Sequence, residues 1–187
     1  MNENIVRIEA HTLIDHVFCD LLTTHGLTTR PEQVALSHLM LNTMLRGEIA
    51  LCDAGTGIGK TLAYLTAGTA FLQYRAKMGL EFQPLMISTS SIALQRAIQR
   101  EYLPQLSAAL LEDGIIQKTI LAVIRKGKSH YVCDQRLERR LQRVGVKNEQ
   151  NYGAIQALEN TLDLDNISSL TDYDKKEVCV GPVLVRQ

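Results

Sequence analysis

The sequence predicts an α/β fold, a parallel sheet with helices on its faces, and three observations predict it. Residues 49–61 read IALCDAGTGIGKT, a short apolar run that breaks into alternating glycines and a Lys-Thr pair. Two more short apolar runs follow, PLMIST at 84–89 and TILAVI at 119–124. Stretches of helical spacing separate the three runs. Strands that alternate with helices imply right-handed crossovers and a parallel sheet, with ligands at the carboxyl ends of its strands.

In chain order, residues 5–22 carry Leu13, Ile14, Val17, Phe18, Leu21 and Leu22 at helical spacing, and Gly26 ends the helix. His11, His16 and His25 read as surface or capping residues, and Cys19 as a core thiol. Thr29, Arg30, Pro31, Glu32 and Gln33 form a helix start, since proline and an acidic residue both suit a first turn. Val34, Leu36, Leu39, Met40 and Met44 are the expected buried stripe of this helix, Gly47 its stop, and Gln33 an exposed first-turn residue. The first strand is expected at 49–52 and a helix at 62–78. After the strand at 84–89, Ser90, Ser91 and Ile92 open a helix with Leu94, Ala97, Ile98, Tyr102 and Leu103 on its apolar side. Pro104 kinks or ends that helix, and residues 106–111 continue helically to Gly114. The third strand spans 119–124. Residues 126–133 read as a loop, 134–144 as a short basic helix, 152–164 as a further helix, 165–177 as a polar acidic stretch and 178–185 as an apolar one.

The glycine stretch has a chemical reason. Glycines let the backbone approach phosphate oxygens closely. Successive N–H groups then form an anion nest, to which the following helix adds its positive dipole end. A strand, a glycine loop, Lys60-Thr61 and a helix together make a P-loop. Lys60 is expected to reach the β- and γ-phosphates and Thr61 to ligate Mg²⁺, with Ala54, Gly55, Thr56, Gly57, Ile58 and Gly59 completing the cradle. Ala54 stands where the motif usually has its first glycine.

At 187 residues, 45% hydrophobic and 21% charged, the chain has the composition of an ordinary globular protein. A formal net charge of zero excludes nothing about partners. It hides a local basic patch, Arg125, Lys126, Lys128, Arg136, Arg139, Arg140 and Arg143 against Asp134 and Glu138. No stretch is apolar and long enough to cross a bilayer and no secretory signal opens the chain, so a cytoplasmic location is expected. Cys19, Cys52, Cys133 and Cys179 are then packed thiols or metal ligands rather than disulfides.

Several stretches, in order, resemble the DinG branch of the XPD-like superfamily 2 DNA helicases. Arg30-Pro31-Glu32-Gln33 is similar to the family's entry motif, and residues 53–61 to its EAGTGTGKT, with Asp53 in place of Glu. Ala63-Tyr64-Leu65 resembles the segment that follows. Ile87-Ser88-Thr89, Ala93-Leu94-Gln95 and Leu103-Pro104 resemble motif Ia and the helix behind it, and residues 126–133, KGKSHYVC, resemble KGRSNYLC. The matches run from about Arg30 to Leu137.

The resemblance implies an ATP- and Mg²⁺-dependent 5′-to-3′ helicase on single-stranded or forked DNA, a monomeric motor when intact, with DNA repair as its setting. It implies that Gln33, with Arg30 nearby, faces adenine. Ser88, Thr89 and Ser90 would contact DNA phosphates without reading sequence, although a serine-rich turn capping the next helix is a compatible role. Lys126, Lys128 and Tyr131 would line the displaced strand's path, with Tyr131 as a stacking surface. A solvated basic face is the equal alternative there. Cys133 would be the first of four ligands of a [4Fe–4S] cluster, with Cys179 a possible second. Four thiolates are needed, and no further cysteine follows Cys179. The family's Asp-Glu-x-His box is absent.

The expected division is therefore a helical lead-in at 1–28, a partial RecA-like ATP-binding domain at 29–125 and the start of an iron–sulfur insertion at 126–187. An N-terminal fragment inactive by itself is the expectation. A P-loop module with a regulatory or assembly role and no DNA unwinding is the alternative, and an inactive product a third.

Overall fold

The structure is a computed structural model that describes residues 2–127 together with His130, Tyr131, Cys133, Gln135, Arg136 and Arg139. The chain divides into two units, Met1–Ala122 and Val123–Gln187.

The first unit is built of helices. Helix α1, Glu3–His16, starts where the Asn2 side chain accepts from the Asn4 N–H at 3.0 Å. It widens into a π turn at Val17–Leu21 and closes with the short α2, Leu22–Thr24. Val6, Ala10, Ile14, Val17, Phe18 and Leu22 line its buried side. Cys19, expected in the core, is exposed. It lies one residue past Phe18, about 100° further round the helix, and so turns off the apolar face.

Helix α3, Pro31–Arg46, starts at Pro31 as expected and ends at Gly47, whose φ of 67° provides the left-handed C-cap. Its buried side differs from the expected stripe. Gln33, Leu36, Ser37 and Leu41 are buried, whereas Leu39 is 48% exposed. The side facing the next helix carries polar groups because those groups are bonded there, and an apolar periodicity cannot register that.

Helix α4, Lys60–Lys77, is the central element and packs on both α1 and α3. Leu62, Ala63, Leu65, Thr66, Ala67, Gly68 and Ala70 bury most of its girth, and small residues let its neighbours approach. Helix α5, Ile92–Ala97, begins at its cap Ser91 and passes through a π turn, Ile98–Tyr102, into α6, Leu103–Glu112, with Pro104 in the first turn of α6. Ile14, Phe18, Leu41, Leu65, Leu106 and Leu110 are among the core that these helices share.

The expected parallel sheet is not found, and no β-strand occurs among the described residues of the chain. Residues 49–52, 84–89 and 119–124 are non-helical segments that no backbone hydrogen bond joins to one another among the described residues. Several of their large side chains face solvent: Ile49 is 95% exposed, Leu51 99%, Met86 91% and Leu121 91%, whereas Ile120 is half-buried against the core and its N–H donates to the Ser107 hydroxyl at 3.0 Å. An apolar run becomes a strand only where neighbouring backbone completes its ladder. Apolarity predicted strands here, and the pairing that makes them is missing. The parallel sheet of the expected RecA-like fold class is corrected accordingly. The segment at 84–89 does touch α4, since a Cβ placed on Gly68 would lie 2.2 Å from Leu85 Cδ2.

In the second unit the Lys126 N–H donates to the Tyr131 hydroxyl at 3.3 Å and the His130 N–H to the Gly127 carbonyl at 2.9 Å. The helix expected at 134–144 is described only at Gln135, Arg136 and Arg139, which are helical. Lys128, the helix expected at 152–164 and the stretches at 165–177 and 178–185 lie outside the described residues.

Candidate functional site

The glycine loop enters α4 directly. Gly57 and Gly59 have φ of 84° and 83°, a left-handed conformation that glycine adopts without penalty. Gly59 is the N-cap of α4, and no side chain caps the helix there. The first-turn N–H groups of an eighteen-residue helix thus point to the loop without a side-chain acceptor. Lys60 curls back over the loop, its ammonium donating to the Ala54 carbonyl at 2.9 Å and the Gly55 carbonyl at 2.6 Å. Among the described residues it forms no ion pair. Ala54 to Thr61 are therefore one local structure, in which the Lys60 ammonium folds over the loop at the start of a helix without a side-chain cap.

Thr61, half-buried, follows Lys60. One turn on, burial pushes the Tyr64 phenol above its ordinary range, while the neighbouring Thr61 hydroxyl acts in the opposite direction.

Behind the loop stands Gln33. It is 4% exposed, not the exposed first-turn residue that the sequence predicts. Its side-chain amide donates to the Gly59 carbonyl at 2.8 Å. A Cβ on Gly59 would collide with the Gln33 Nε2 where that amide now sits, and the left-handed φ of Gly59 favours glycine independently. Four residues further along α3, the buried Ser37 hydroxyl lies 3.0 Å from both the Gln33 and the Ala63 carbonyls. Gln33 with Gly59 and Ser37 with Ala63 are two rungs of one ladder between α3 and the start of α4. Sequence reasoning missed Ser37. The available signal was the repeat of the same four-residue step in both helices. Arg30 is exposed at the N-cap of α3.

The other expected site residues stand elsewhere. The Thr89 hydroxyl accepts from the Ser91 N–H at 3.1 Å, and Ser91 accepts from the Leu94 N–H at 3.2 Å. This is the capping role, next to exposed Ser88 and Ser90. Cys133 is a half-buried free thiol. Among the described residues no three or more His, Cys, Asp or Glu side chains gather as metal ligands. Four thiolates for an iron–sulfur cluster are thus not assembled there, and Cys179 lies outside the described residues. No helix among the described residues is long and apolar enough to cross a membrane.

A glycine loop closed by a lysine at the head of a long helix has the residue pattern of a phosphate loop, without the strand that precedes such a loop among the described residues. Comparison with known proteins gives a particular relationship. Over 107 residues the chain is 35% identical to the proteins named 3′-5′ exonuclease DinG in Staphylococcus aureus strains USA300, NCTC 8325 / PS 47 and COL. The match covers 57% of this chain, which spans 11% of the length of those relatives. This supports the DinG-like relationship read from the motifs. No family model matches the chain. No solved structure matches it either.

Proposed function

We propose that the chain is the ATP-binding element of a DinG-like enzyme that acts on DNA, and that ATP turnover drives 5′-to-3′ movement along a single strand. The observation that supports this reading is the Lys60 ammonium folded over the glycine loop beside the start of α4, where no side chain caps the helix. Lys60 exchanges the Ala54 and Gly55 carbonyls for phosphate oxygens when a nucleotide enters. Thr61 would supply the hydroxyl that holds Mg²⁺, and the ion would neutralise phosphate charge. Tyr131, Lys126 and Lys128 are assigned to the path of the strand, where contacts position without reading sequence.

Titration with Mg²⁺ and ATP tests the site. The chain is expected to bind, and Lys60→Ala to weaken binding at least about tenfold, the loss of a charge-assisted hydrogen bond. Equal binding by both proteins would remove the loop as the nucleotide site. Single-strand affinity should fall steeply with salt if phosphate contacts carry it; an affinity independent of salt favours the regulatory module. The relatives' name carries a second activity, 3′-5′ exonuclease. Release of nucleotides from a 3′-labelled strand, unaffected by Lys60→Ala, would assign that chemistry to this chain instead.

A further inference from the structure

We infer that Gln33 is a positioning residue of the phosphate loop, acting on every polyphosphate ligand whatever base it carries; this rests on the phosphate-loop reading above. Three observations converge. Gln33 is nearly sealed from solvent, at 4% exposure. Its amide N–H is committed to the Gly59 carbonyl at 2.8 Å, the last peptide before Lys60. Gly59 has room for that amide only because it lacks a Cβ. The Gly59 carbonyl also accepts the Ala63 N–H at 3.2 Å, so the Gln33 amide is a second restraint on the peptide from which α4 opens. Ser37, on the second rung, ties the same helix one turn deeper, at Ala63. Its loss would loosen the helix pair and leave the bond between the Gln33 amide and the Gly59 carbonyl in place.

The chemistry predicts which ligands feel the change. A group that reads adenine discriminates between bases. A group that sets the loop affects the phosphates, which ATP, GTP and inorganic tripolyphosphate share. The test titrates these three ligands, with Mg²⁺, into the chain, into Gln33→Met, which keeps the bulk and removes the donor, and into Ser37→Ala. Gln33→Met is expected to weaken all three by the same factor, roughly five- to tenfold for one buried hydrogen bond, with an unchanged ATP-to-GTP ratio. Ser37→Ala is expected to lower the melting temperature while leaving the three affinities within about twofold. Loss of ATP binding alone, with GTP and tripolyphosphate unchanged, would overturn the inference and leave the phosphate loop standing. If the chain itself binds none of the three, the loop reading falls and the inference with it.

The unmodified chain offers a second measurement should Gln33→Met fail to fold. The Gln33 side-chain amide resonances should stay protected from exchange with either ATP or tripolyphosphate bound. Release of that amide by ATP but not by tripolyphosphate overturns the inference.

Discussion

Gly59 and Gln33 occupy the same few ångströms from two sides, and each constrains what the other can be. Gly59→Ala meets two costs. The first is a left-handed backbone, about 1 kcal/mol for a residue with a Cβ. The second is the collision with Gln33 Nε2, 2.2 Å from the new carbon. Gln33→Ala removes the second cost and not the first. Urea unfolding of the two single variants and the double variant should therefore show coupling of about 0.5–3 kcal/mol, with Gly59→Ala milder when Gln33 is absent. Equal cost in both backgrounds would mean that the two residues are not packed as described. The pair also shows what was legible. Lys60 and Thr61 stand out in the sequence through the glycine spacing before them, a purely local signal. Only the resemblance singled out Gln33; its burial did not follow from the residues, because a polar residue in a first turn reads as solvated unless its partner is known, and that partner is a backbone carbonyl 26 residues away.

At the scale of elements, helix ends were legible and sheet was not. Pro31, Gly47, Ser91 and Gly114 act through their own backbone or nearest neighbours, so their signals survive without tertiary information. The runs at 49–52, 84–89 and 119–124 needed partners that no local signal supplies. A titratable clasp joins two of the helices. His16, the last residue of α1, places Nδ1 2.7 Å from Asp20 and Nε2 2.9 Å from Asp113, just past α6. Asp20 first, then Asp113, raises the imidazole above its ordinary value near 6.5. The clasp therefore contributes fully below about pH 6.5 and fades as pH rises through the higher folded value. The His16 side chain is 36% exposed, so solvent screening limits this to at most about 1 kcal/mol. Melting temperature should fall modestly from pH 6 to pH 8, and Asp113→Asn should flatten the slope. An identical slope in that variant would place the pH dependence elsewhere.

For the whole first unit, the helices and the three apolar segments play opposite parts in stability, and substitution can separate them. Leu106 and Leu110 are fully enclosed between helices. Leu106→Ala should cost about 2–5 kcal/mol, since it removes buried methyl groups and leaves a cavity. Leu51, Met86 and Leu121 have the same composition and the opposite setting, with more than nine-tenths of each in solvent. Replacing each by lysine removes exposed apolar surface and no core contact. The expected change in unfolding free energy is within about 0.5 kcal/mol per site. Such apolar surface on extended backbone favours association between copies, and an added charge opposes it. Light scattering of the triple lysine variant should show less self-association at equal concentration. If Leu51→Lys alone lowered stability as much as Leu106→Ala, that segment would lie in a core, and the description of Leu51 as solvent-facing on an unpaired run would have to be abandoned.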